Sequence, residues 1–180
     1  MAIFVSAGHN PAGLRPDPGA VAHGKTEALL ASEFRDLVVS FIRPEYKVIV
    51  DKDCERLDDY LKRIQTGEGS VIIEFHFNAF NGKATGTETL VGIDADNNDK
   101  HFAREVADVT ARILKIPNRG AKCESQSHRG RLWLMKKKGI VTLHEICFMD
   151  NMSDLQAFMD NKTMLAREVA HILMKYDDLI

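Results

Sequence analysis

Two histidines and two glutamates stand where packing alone gives them no obvious task. His9 follows the apolar run AIFVSA, and His76 lies near the end of SVIIEFHF. Glu27 precedes a helical pattern, and Glu145 sits inside the run GIVTLHEICF. Two imidazoles and one carboxylate form a donor set that catalytic zinc takes, with a fourth position left to water. His9, Glu27 and His76 would supply that set. Their separations of 18 and 49 residues match no compact metal motif, and a histidine taken singly is more often an ordinary one than a ligand. Glu145 carries two readings of equal weight. A carboxylate in an apolar strand is costly unless paired, protonated or beside a cation, so it is either a functional acid or base or the partner of an arginine such as Arg119 or Arg131.

Strand geometry groups these residues. Side chains alternate across a strand, which puts Ile72, Glu74, His76 and Asn78 on one face and Val71, Ile73, Phe75 and Phe77 on the other. The long apolar stretch argues for a strand covered on both sides, where polar groups need partners, and a metal is one such partner. By the same alternation Glu145 shares its face with Val141, Leu143 and Cys147, while His144 points the other way.

The elements that must position these groups alternate along the chain. Candidate strands are AIFVSA, YKVIVD, SVIIEFHF, GTETLVGI and GIVTLHEICF. Helical spacing joins Leu30, Phe34, Leu37, Val38 and Phe41, then Phe102, Val106, Val109 and Ile113, then Leu165, Val169, Ile172 and Leu173, with a shorter helix expected over Glu55 to Ile64. That order predicts an α/β sheet flanked by helices. Ligands in such sheets collect at the carboxyl ends of strands, where His9 and His76 fall. The segment from Asn10 to Gly24, rich in Gly and Pro, suits an irregular active-site loop better than a hairpin and delivers Glu27 to the first turn of the next helix.

Composition excludes more than it selects. With 180 residues, 44% hydrophobic and 28% charged, the chain has the content of one ordinary folded domain, and residues 1–180 are expected to form a single domain with no separate binding domain. A net charge of -2 gives no general reason to bind nucleic acid, although Lys136 to Lys138 form a local basic stretch. Cys54, Cys123 and Cys147 have no framework spacing and read as reduced thiols. No segment approaches the ~20 apolar residues of a membrane span, and no basic leader precedes the first apolar run. The expectation is synthesis in the cytoplasm with no signal peptide, and no membrane insertion.

The blocks FVSAGHN, DPGA, KTEA, FHFNAF, GTET, NRGAK and LHEICFMDN resemble, in order, the signature segments of zinc-dependent N-acetylmuramoyl-L-alanine amidases of the Amidase_3 type, from about Ile3 to Asn151. The resemblance implies a mixed, mostly parallel sheet of about six strands flanked by helices, one zinc ion, and cleavage of the amide joining N-acetylmuramic acid to L-alanine in peptidoglycan. It implies His9, Glu27 and His76 as metal ligands, Glu145 as catalytic acid and base, and Asn78 as a contact to the water at the metal. Arg119 is a candidate for a substrate carboxylate, because a planar guanidinium suits that geometry. The chain departs from the pattern at Asn10, where glycine is usual, in a longer loop before Asp17, and at Glu74, where a small polar residue is common. Glu74 is therefore a rival ligand or base.

Three other readings are open. A cysteine hydrolase would use Cys147 and His144, although three residues apart in one strand they should face opposite ways. A related zinc peptidase would act on a free or wall peptide. A non-catalytic wall-binding relative would keep the fold without turnover. Action on the wall would follow release or export by another route, as for a phage or prophage lysin or a domain excised from a larger exported protein. The oligomeric state is left open.

Overall fold

The structure, a computed structural model, describes residues 1–127 and 130–179. Its strands are β1 (Ala2–Ala7), β2 (Val21–Ala22), β3 (Lys25–Thr26), β4 (Val48–Val50), β5 (Ser70–Asn78), β6 (Thr87–Val91), β7 (Asn118–Cys123) and β8 (Ile140–Phe148). Its α-helices are α1 (Glu27–Phe41), α2 (Leu57–Arg63), α3 (Asn97–Leu114) and α4 (Met152–Asp178). Six strands form one sheet in the order β4-β1-β5-β8-β6-β7, and β2 pairs with β3 apart from it. β4, β1, β5 and β8 run parallel, β6 runs antiparallel to β8, and β7 is parallel to β6. This is the mixed, mostly parallel sheet that was expected.

Alternation along the central strands builds two cores. Ile3, Val5, Val71, Ile73 and Phe75 face α1, α3 and α4, where Phe34, Phe75 and Phe158 meet edge to face. Phe4, Ile72, Leu90, Val141 and Leu143 face the other way, against Tyr60 and Leu61 of α2 and against Leu134. Burying large side chains on both faces is worth roughly 1.5–3 kcal/mol apiece before chain entropy is charged against it. Toward the carboxyl ends of β1 and β5 buried polar residues take over from the apolar ones: Ser6 on β1, then Glu74 and His76 on β5.

Two expectations from the sequence needed correction. The loop before α1 is not wholly irregular: β2 and β3 make a miniature antiparallel hairpin. Its turn is His23-Gly24, with φ of 51° and 73°, and two positive φ values are what a type I′ hairpin turn demands. Cys147 does not share the face of Glu145. The β5–β8 register shifts between His76 and Asn78, and this bulge turns both Ile146 and Cys147 into the helix-side core. The edge strand β7 was absent from the sequence reading, because NRGAKC has no apolar alternation to betray it.

The end of β1 is fixed in place by a buried ion network. Asp51 accepts a hydrogen bond from the Ala7 N–H at 3.2 Å and holds Arg35 of α1 at 3.0 Å, while Arg35 also reaches Asp53 at 2.7 Å. The loop that follows is organised by Asn10. Its side chain donates to the carbonyls of Ala12 and Arg15, and its own carbonyl accepts from Asp17 N–H at 3.0 Å. That is what the residue at this point of departure does: an amide ties down the longer loop.

Candidate active site

Glu27 opens α1 directly after its N-cap, Thr26, whose hydroxyl accepts from Leu29 N–H. The carboxylate stands between two imidazoles. Oε1 lies 2.8 Å from His76 Nδ1 and Oε2 lies 3.3 Å from His9 Nε2. All three residues are buried, and one donor atom from each falls within 4.8 Å of the others. Thus the carboxyl end of β1, the start of α1 and the end of β5 meet at one point.

The outer nitrogens of both rings also meet carboxylates. His76 Nε2 lies 3.0 Å from Glu74 Oε1, and His9 Nδ1 lies 2.9 Å from Asp17 Oδ2. His9 makes no well-aligned hydrogen bond at either nitrogen despite these close approaches. A buried ring whose donor atoms converge with two others, yet whose hydrogen bonds are poorly formed, fits a cation better than it fits a proton network. Burial alone would lower the pKa of His76. Hydrogen bonds to Glu27 and Glu74 and the nearby Glu145 charge outweigh it and hold the ring well above the usual histidine range. Glu27 shows the converse: burial would raise it, but the two imidazoles hold its carboxyl well below the ordinary range.

Glu145 is the direct cross-strand neighbour of His76 and lies half-buried on the cleft wall. Cross-strand neighbours are about 4.8 Å apart along the sheet, so the fourth carboxylate stands beside the donor set without belonging to it. His144 is turned away, as alternation required. Its Nε2 meets the hydroxyls of Thr87 at 3.2 Å and Thr110 at 3.1 Å. Both hydroxyls donate elsewhere, to Glu145 C=O and Val106 C=O, so the ring is the donor and its Nε2 carries the proton.

A cleft of about 710 Å³ opens over these residues. Glu88 on β6 organises its far wall, accepting from Arg119 Nε and from Lys122 Nζ, each at 2.6 Å. Asn78 donates to the other oxygen of Glu88 at 3.3 Å, so its amide is turned toward this cluster. Arg119 sits on β7 and lies over the Phe148 ring at 5.0 Å. Lys122, Glu88 and the exposed aromatics Phe80 and Trp133, which also line the cleft, were missed in the sequence. Their only signal lies in the three-dimensional approach of β6, β7 and the loops, which no local pattern encodes.

Glu74 lies outside the converging set that could hold an ion. The cysteine reading fails on access. Cys147 is fully buried in the helix-side core, its thiol pushed well up by burial and by nearby Asp154, and neither it nor His144 lines the cleft.

A parallel-dominated sheet with two imidazoles and a carboxylate converging below a cleft, and a further carboxylate on its wall, has donors that could hold a metal ion and a carboxylate beside them that could serve hydrolysis. Comparison with known proteins gives the family. The N-acetylmuramoyl-L-alanine amidase (Amidase_3) profile matches residues 3–174, and the chain belongs to that family. Among solved structures, a Neisseria meningitidis protein proposed to be an N-acetylmuramoyl-L-alanine amidase is 29% identical. It aligns over 97% of this chain and 94% of its own, with a TM-score of 0.79. The N-acetylmuramoyl-L-alanine amidase from Clostridium difficile 630 is 18% identical over 98% and 96% of the two chains, also at 0.79. The catalytic domain of the CD27L endolysin targeting Clostridia difficile is 21% identical over 97% of each, at 0.73. No curated relative matches the sequence.

Proposed function

We propose that this amidase hydrolyses the bond between N-acetylmuramic acid and L-alanine in peptidoglycan with one zinc ion held by His9, Glu27 and His76. One observation carries the reading: donor atoms from three distant segments lie within 4.8 Å of one another, with Glu145 across the sheet from His76. When bound there, zinc supplies Lewis acidity, lowering the pKa of a water from 15.7 toward roughly 7 and stabilising charge on a carbonyl oxygen.

The remaining chemistry belongs to the chain. Glu145 accepts the proton of the attacking water and then passes it to the departing L-alanine amine. Arg119 and Lys122 bring two positive charges to the cleft wall against the single negative charge of Glu88, leaving a surplus suited to carboxylates of a peptide stem. The substrate places the enzyme's work at the cell wall.

The test is incubation with purified peptidoglycan, with and without a chelator, followed by identification of the newly freed amino terminus. An N-terminal L-alanine that vanishes with chelator and returns with added zinc is the expected result. Release of any other terminus, or cleavage indifferent to chelation, would defeat the reading. Comparing intact muropeptide with free stem peptide separates an amidase from a peptidase.

A further inference from the structure

Glu74 is fully buried, carries a full carboxylate beside the proposed metal site, and has no place in the chemistry above. Its two oxygens are spoken for within the protein. Oε1 lies 3.0 Å from His76 Nε2, and Oε2 accepts from the Ser6 hydroxyl at 3.5 Å. Ser6 and Glu74 are direct partners in the β1–β5 register, so the contact is built into the sheet and does not depend on a loop. Two carboxylates thus hold the two nitrogens of one imidazole, Glu27 at Nδ1 and Glu74 at Nε2. Their surroundings differ. Glu27 also touches His9 and belongs to the converging set, whereas Glu74 touches Ser6 and stands outside it.

From this asymmetry we infer that Glu74 is a positioning residue: it accepts the Nε2–H of His76, fixes the ring in one tautomer and leaves the Nδ1 lone pair for the metal. The inference rests on the zinc reading proposed above. The physical effect is twofold. The hydrogen bond removes the freedom of the ring to turn about its own axis, and a charged acceptor makes the opposite nitrogen a stronger donor. Asp17 stands in the same relation to His9, but its side chain is 61% exposed, while that of Glu74 is 3% exposed. Water screens the first contact and not the second, so the larger share of the positioning falls to Glu74.

Glu74→Gln keeps the shape and removes the charge. Zinc affinity measured by competition with a chromophoric chelator should weaken by about 10- to 100-fold, the range for loss of an outer-shell partner. Ser6→Ala should weaken it in the same direction by less. Thermal melting of the metal-free proteins separates a positioning role from a structural one, since metal-free Glu74→Gln should melt close to wild type while the gain on adding zinc shrinks. A measurement on wild type needs no variant to fold. In protein loaded with ¹¹³Cd, the metal should couple to Nδ1 of His76, and Nε2 should carry a proton. Coupling through Nε2, or a Glu74→Gln affinity within about threefold of wild type, would overturn the inference while leaving the zinc reading intact. A wild-type protein that takes up neither zinc nor cadmium would instead bring down the zinc reading and this inference together.

Discussion

Gly8 stands between the end of β1 and His9, and its Cα faces the ring of His76. A Cβ added there would lie 1.9 Å from both Cε1 and Nε2 of that ring. Non-bonded carbon contacts below 3.0 Å are essentially never seen, so in Gly8→Ala the imidazole must retreat by about 1 to 1.5 Å. The backbone need not move, because the obstructing atoms are the far end of a side chain. That end, however, is the part held by Glu27 and Glu74. A metal site tolerates displacements of about 0.5 Å, so the predicted shift removes His76 as a ligand. Losing an outer-shell contact costs up to about 100-fold in affinity, and losing a ligand should exceed that, which is more than about 2.7 kcal/mol. Equilibrium zinc competition and peptidoglycan release would read the effect, with Gly67→Ala, where a Cβ meets nothing within 4 Å, as the control. The metal-free variant should keep its fold, since alanine in place of glycine also restricts the unfolded chain. If Gly8→Ala bound zinc within about threefold of wild type, the placement of His76 as a ligand would be wrong.

Two further outcomes are expected. Glu145→Gln should retain zinc, checked by elemental analysis, while peptidoglycan hydrolysis falls by at least about 100-fold, since general acid and base help is worth about 100- to 10,000-fold. His144 gives a pH signature in stability. Burial pushes its pKa down to about 3 from an ordinary 6.5, so between those values the unfolded chain binds a proton that the folded one refuses. Stability should therefore fall as pH drops below 6.5, with this residue contributing a loss of about 2 kcal/mol at pH 5. Urea titrations at pH 7 and pH 5 should show a smaller difference for His144→Gln than for wild type, and an unchanged difference would rule out His144 as its source.

Periodicity and strand-end position carried much of this structure in the sequence itself. The five apolar strands, the four helices and the opposite faces of Glu74–His76 and Phe75–Phe77 follow from local rules, because alternation and helical spacing are properties of the chain before it folds. The convergence of His9, Glu27 and His76 was foreshadowed by their places at element ends on one edge of a sheet and by the resemblance to the amidase family, not by any spacing of the three. Other features came from tertiary contact alone. β7 exists because β6 offers it a free edge, not because NRGAKC is a good strand. The bulge that carries Cys147 to the helix side arises from the fit of β8 against β5. The hairpin turn at His23-Gly24 depends on two φ angles that composition only permits. Which nitrogen of His76 meets which carboxylate, and hence the difference between Glu27 and Glu74, was decided when β1, β5 and α1 packed together. Two glutamates are chemically identical in a sequence, and only the groups brought around each by folding give them different work.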